Sequence, residues 1–196
     1  MTEEEWLTCA DPMAILPFLE GKASERKLRL FAVLCYREYL RFRPDLSAGI
    51  FPKWADTTER YADGLATFEE WDGIRCNVHG MFHASDSHKQ ALAAVDTAFA
   101  CCLQESSESF LLATLLRDIF GNPFRSIAVE PAWLTSDVLA LARGIYDDRA
   151  FDRMSILADA LQDAGCDSDD VLNHCRDANA VHVRGCWVVD LLLGKG

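Results

Sequence analysis

Cys76, His79, His83 and His88 follow one another as C-x2-H-x3-H-x4-H, across and just beyond the stretch DGIRCNVHGMFHAS at 72–85, which carries no helical or strand period. One thiolate and three imidazoles form a donor set that suits zinc, and four ligands on a short irregular segment can replace a missing local core. The spacing matches no zinc-finger pattern, however. Gly80 also interrupts any helix that would put His79 and His83 on one face. The competing reading is a loop with scattered surface histidines. These four residues are the candidate metal ligands, and zinc is the ion they would take.

A second grouping is His174, Cys175, His182 and Cys186, with Cys166 nearby in sequence. A cysteine nucleophile and histidine base need contact at ~3 Å and a third group that orients the imidazole. Neighbouring positions on a helix diverge by about 100°, so His174 and Cys175 point apart. The simpler expectation is buried core thiols with a surface or capping histidine. The tail HVRGCWVVDLLLGKG, 182–196, reads accordingly as a core helix. Cys186, Val189 and Leu193 share a face, Trp187 is the largest packing element, Gly194 stands at C′ and Lys195 follows where positive charge suits a helix end. Only His182 and Arg184, just ahead of that helix, are left to touch anything outside the fold.

The carboxylates are less focused. Asp147, Asp148 and Asp152 alternate with Arg149 and Arg153, a pattern expected of salt bridges at a loop. GNPFRS at 121–126 lacks the glycines and lysine of a phosphate loop, and HExxH, GxSxG and GxGxxG are absent. Charge gives one more feature. Between Lys22 and Arg43 there are seven Lys or Arg against two Glu. Arg26, Arg29 and Arg37 fall on the outer side of an amphipathic helix, where guanidiniums could hold the carboxylates of an acidic protein partner. Loop tryptophans 54, 71 and 133 could anchor the same contact. A solvated face, or pairing with this chain's own acids, is the alternative.

The elements that must position these residues read as helices. Thr2 with Glu5 makes a capping box. Asp11-Pro12 opens a second segment, which Pro17 should limit or kink before Gly21 stops it. Leu28, Phe31, Leu34, Cys35, Tyr39 and Phe42 form the apolar stripe of a helix over 24–42. Residues 43–56 look like a loop ending at a Thr57 or Thr58 cap, followed by one helix through Tyr61, Leu65 and Phe68. A central helix starts at Asp86 or Ser87. Another starts at Ser107 or Ser109 and stops at Gly121-Asn122-Pro123. Thr135 caps a further helix, Gly165 closes the next, and Asp167 to Asp170 open one more. The expected fold is all-α, with eight or nine helices in an orthogonal or irregular bundle. It forms a single domain, 1–196, of two packed lobes, 1–104 and 109–196, joined by the polar run QESSES.

Composition narrows the class. Half of the 196 residues are apolar, and the eight cysteines include no CxxC pair. The longest apolar runs are far short of the ~20 residues that cross a bilayer, and no basic-then-apolar leader opens the sequence. A cytoplasmic protein with reduced thiols is expected, with no membrane partner. A formal charge of −12 argues against nucleic acid, because phosphate contacts need a basic footprint.

The blocks LLRDIFGNPFR, PAWL, IYDDRAFDRM, ILADALQDAGC and HVRGCWVVDLLLGK, together with the opening MTEEEWLTCADPMAILPFLEGKASERKLRLFAVLCYR, resemble a lineage-expanded family of uncharacterised proteins of planctomycete-type bacteria. That family's opening block commonly has more than one cysteine where this chain has Cys35. The resemblance implies no activity, cofactor or catalytic residue. With helix grammar strong and catalytic signatures absent, the expected function is a non-enzymatic interaction module, an adaptor or regulatory companion with no cofactor. The rival is a small metal- or thiol-dependent enzyme built on Cys76 to His88 or on the C-terminal His and Cys residues.

Overall fold

The computed structural model describes residues 1–42, 49–75 and 106–196. They are all-α: ten α-helices and three short 3₁₀ turns, with no strand among the described residues. None of the described helices is long and apolar enough to cross a membrane. The chain forms two compact units, Met1–Leu116 and Arg117–Gly196. Of the expected joint at 104–109, residues 106 onward are already helical, and the division lies further along, between Leu116 and Arg117.

In the first unit α1 (Glu3–Thr8) has the expected capping box. The Glu5 N–H donates to Thr2 Oγ1 at 3.1 Å, and the Thr2 N–H donates to Glu5 Oε2 at 2.7 Å. Asp11 caps α2 (Pro12–Ile15), after which Pro17 tightens the chain into a 3₁₀ turn over Leu16–Leu19. Helix α3 (Glu25–Phe42) buries Leu28, Phe31, Cys35 and Tyr39, as the stripe requires. Removing Leu28 and Phe31 from water contributes ~1.5–3 kcal/mol each.

Two expectations change here. Residues from Ile50 onward are not loop but α4 (Ile50–Ala62), with Trp54, Thr57 and Thr58 buried along it. Pro52 sits in its first turn, where an N–H has no intrahelical acceptor and a proline costs little. The single helix expected through Tyr61, Leu65 and Phe68 is broken. Gly64 adopts φ +71°, ending α4, and Thr67 with Glu70 forms a second capping box that opens α5 (Phe68–Arg75).

The second unit starts within the last turn of α6 (Ser106–Phe120), which Gly121 stops in the left-handed region at φ +65°. Irregular chain and a 3₁₀ turn over Pro131–Trp133 lead to α7 (Ser136–Asp148), capped by Thr135 through the Val138 N–H at 3.3 Å. Then come a 3₁₀ turn over Phe151–Arg153, α8 (Met154–Asp163), α9 (Asp169–Arg176) and α10 (Trp187–Leu193). Their core includes Trp133, Ile145, Leu157, Leu161, Val171, Cys175, Val188 and Val189. Gly194 closes α10 at φ +64°, so the tail is the core helix its sequence announces.

Candidate metal centre

Four side chains of the second unit converge. Asp118 comes from the last turn of α6, His174 from the last turn of α9, His182 from the loop after it, and Cys186 from the N-cap position of α10. Local chemistry shapes that loop. The Asn179 N–H donates to Asp177 Oδ1 at 2.9 Å, turning the chain out of α9. Gly185 at φ +96° then lets the Cys186 N–H reach the Val183 carbonyl at 2.9 Å, which aims Cys186 inward.

The Asp118 side chain is 4% exposed and that of His182 5%, while Cys186 is fully buried. His182 Nδ1 lies 2.7 Å from Asp118 Oδ1, and His174 Nε2 lies 3.3 Å from the same oxygen. The Val183 N–H donates to Asp118 Oδ2 at 2.9 Å. Cys186 Sγ stands 3.2 Å from His174 Nε2 and 4.0 Å from His182 Nδ1. On its outer side His174 Nδ1 accepts from Trp187 Nε1–H at 3.1 Å. His182 Nε2 is buried without a hydrogen-bond partner.

Burial alone would raise the Asp118 carboxyl, but the hydrogen bonds and charge of His174 and His182 outweigh it and hold it below the usual carboxylate range. Burial pushes the Cys186 thiol well up, and the Asp118 charge pushes it further. Cys175 is raised to about 12, chiefly by burial, and Cys166 is raised for the same reason. None of the three is poised as a nucleophile. Geometry excludes a relay as well. A catalytic imidazole meets its acid with one nitrogen and its nucleophile with the other. Here each histidine turns one and the same nitrogen toward both Asp118 and Cys186.

One inward atom from each of four residues is the pattern of metal coordination. The four ligand atoms lie within 4.8 Å of one another. With zinc bonds of about 2.0–2.3 Å, the edges of a tetrahedral site are about 3.3–3.6 Å, and the contacts above straddle that range. Four protein ligands also leave a tetrahedral ion no open position, which is the arrangement of structural sites rather than catalytic ones. Beside the centre, His182 and Cys175 form part of the wall of a half-open cleft of about 520 Å³.

The residues named from sequence fare differently. Cys76, His79, His83 and His88 lie outside the described residues. Cys166 and Cys175 belong to the hydrophobic core. His182, expected to face outward, is turned onto Asp118. Arg184 lies over the Tyr146 ring, 4.6 Å from its centroid. Arg26 pairs with Asp63 at 3.1 Å, Arg29 with Glu25, and Arg37 with Glu59 at 3.2 Å and Asp56 at 3.3 Å, so each guanidinium holds an acid of its own chain. Sequence reasoning missed Asp118. Its signal is an acid set among the apolar residues of LLATLLRDIF, where a solvated helix face would not place it. No protein-family model, no curated protein and no solved structure matches this chain.

Proposed function

We propose that the second unit is a metal-binding module that takes one zinc-class divalent cation on Asp118, His174 Nε2, His182 Nδ1 and Cys186 Sγ. The observation that carries this reading is a buried carboxylate whose partners are two imidazoles and a backbone N–H, with no guanidinium or ammonium among them. A thiol stands in the same shell. Such a charge is stabilised most by a cation placed among these donors, and the mixed N, S and O set suits zinc or cobalt better than calcium or magnesium. The ion would be structural. It would tie the end of α6 to α9, to the loop at 177–186 and to the start of α10, and our reading of the unit is a non-enzymatic interaction module whose surface the metal would hold in shape.

Cobalt titration of metal-free protein tests it. One equivalent should give the thiolate-to-cobalt charge-transfer band and tetrahedral d–d bands. Because Cys76 belongs to another donor set, the band should survive Cys76→Ser and disappear in Cys186→Ser. A band unchanged in Cys186→Ser, or none in the parent protein, sinks the reading.

A further inference from the structure

We infer that Trp187 sets the affinity of this centre by holding His174 in the tautomer that cannot bind metal; the inference rests on the metal-binding reading above. An imidazole nitrogen that accepts a hydrogen bond carries no proton. His174 Nδ1 accepts from Trp187 Nε1–H at 3.1 Å, so the proton of neutral His174 sits on Nε2, the nitrogen that faces Asp118 and Cys186. His182 is arranged alike, with Nδ1–H directed to Asp118 Oδ1 at 2.7 Å and Nε2 bare and buried. Both inward nitrogens therefore donate to the carboxylate, and their lone pairs point away from the centre.

Coordination needs the opposite. Bonds form from the ion to Asp118 Oδ, His174 Nε2, His182 Nδ1 and Cys186 Sγ. Each histidine gives up its inward proton and takes one on its outer nitrogen, while the Cys186 S–H bond breaks and its proton leaves to solvent. The sum is one proton released per divalent ion. His174 Nδ1–H then confronts Trp187 Nε1–H, two donors where the metal-free centre has a donor and an acceptor. The indole has to withdraw from His174.

Its seat is specific. The indole lies against Gly121, where an ideal Cβ would stand 3.1 Å from Trp187 Cγ and 3.2 Å from Cδ2. The ring centroids of Trp187 and His174 are 5.1 Å apart. Trp187 is thus a positioning residue that favours the metal-free hydrogen-bond network, acting through His174 rather than as a ligand.

Trp187→Phe keeps an aromatic ring and deletes the N–H. Measured by competition with a chromophoric chelator, the variant should bind Zn²⁺ about tenfold more tightly than the parent, the equivalent of ~1.4 kcal/mol. A purely structural role predicts equal or weaker binding, and that result overturns the inference. A second readout needs no variant. Two-bond ¹⁵N–¹H spectra of the zinc-loaded parent protein should show His174 protonated at Nδ1 with Nε2 metal-bound, and His174 still protonated at Nε2 in the loaded protein would also overturn it. Failure of the metal-binding reading itself looks different, because the parent protein then gives no cobalt band.

Discussion

Asp63 and Glu59 in the first unit and Asp118 in the second are buried carboxylates with opposite kinds of partner. In the first, the Asp63 side chain is 1% exposed and that of Glu59 6%, and each meets a guanidinium of α3: Asp63 meets Arg26 at 3.1 Å and Glu59 meets Arg37 at 3.2 Å. A permanent cation stands against each of those carboxylates. In the second, Asp118 is buried to the same degree but faces two imidazoles, a thiol and one backbone N–H. No permanent cation stands among these partners, so they lower the cost of burying the charge without fixing an ion pair beside it. The lesson is that the identity of a buried acid's partners, more than its burial, separates a structural ion pair from a site that still calls for a cation.

The sharpest way to break the contrast is to supply or withhold the cation. Zinc at about a thousand times its dissociation constant should stabilise the second unit by ~4 kcal/mol over metal-free protein. Amide hydrogen exchange should show this protection in α9, the 177–186 loop and α10, and none around α3 and α4. Equal protection in both units, or in neither, removes the distinction.

Next in size is the removal of a fixed cation. Arg26→Ala takes the guanidinium away from buried Asp63 and should destabilise the first unit by about 3 kcal/mol in urea unfolding. Cobalt binding should be unaffected. If the variant unfolds like the parent, the Arg26–Asp63 pair is not what finishes that site.

Asp118→Asn tests the other side. Its carboxamide can accept from His182, but its NH₂ then opposes the Val183 N–H that now donates to Oδ2 at 2.9 Å. The expected cost in metal-free protein is ~2 kcal/mol, together with loss of tight cobalt binding, because the fixed negative charge is gone. Retained binding with altered stability would make Asp118 a structural acceptor only.

How much of this was legible in the sequence follows from the range of the interactions involved. Caps at Thr2, Asp11 and Thr135 and the glycine stop at 121 are local, and they stand where the residues put them. Helix α4 was misread because Pro52 looks like a breaker, and only its place in the first turn makes it harmless. His174, His182 and Cys186 were singled out, since they lie close together in the chain. Their grouping with Asp118 was not visible, because it depends on the residue at 118 meeting the 174–186 stretch within the packed second unit. The same packing explains why His182, polar and next to an arginine, is buried: its partner lies 64 positions away in sequence.

The smallest expected effect bears on that packing. Gly121→Ala places a Cβ in the left-handed region, at φ +65°, and within 3.1 Å of the Trp187 ring. Backbone strain alone should cost ~1–2 kcal/mol, read as a lowered urea midpoint with unchanged slope. The methyl also pushes the indole from its seat against the glycine, weakening the Trp187 bond to His174. In metal-free protein the substitution should therefore destabilise the second unit, while zinc recovers part of the loss because the loaded centre no longer uses that hydrogen bond. A zinc-loaded variant that loses as much stability as the metal-free one would show that Gly121 serves only to stop α6, and that the indole's seat has no bearing on the centre beside it.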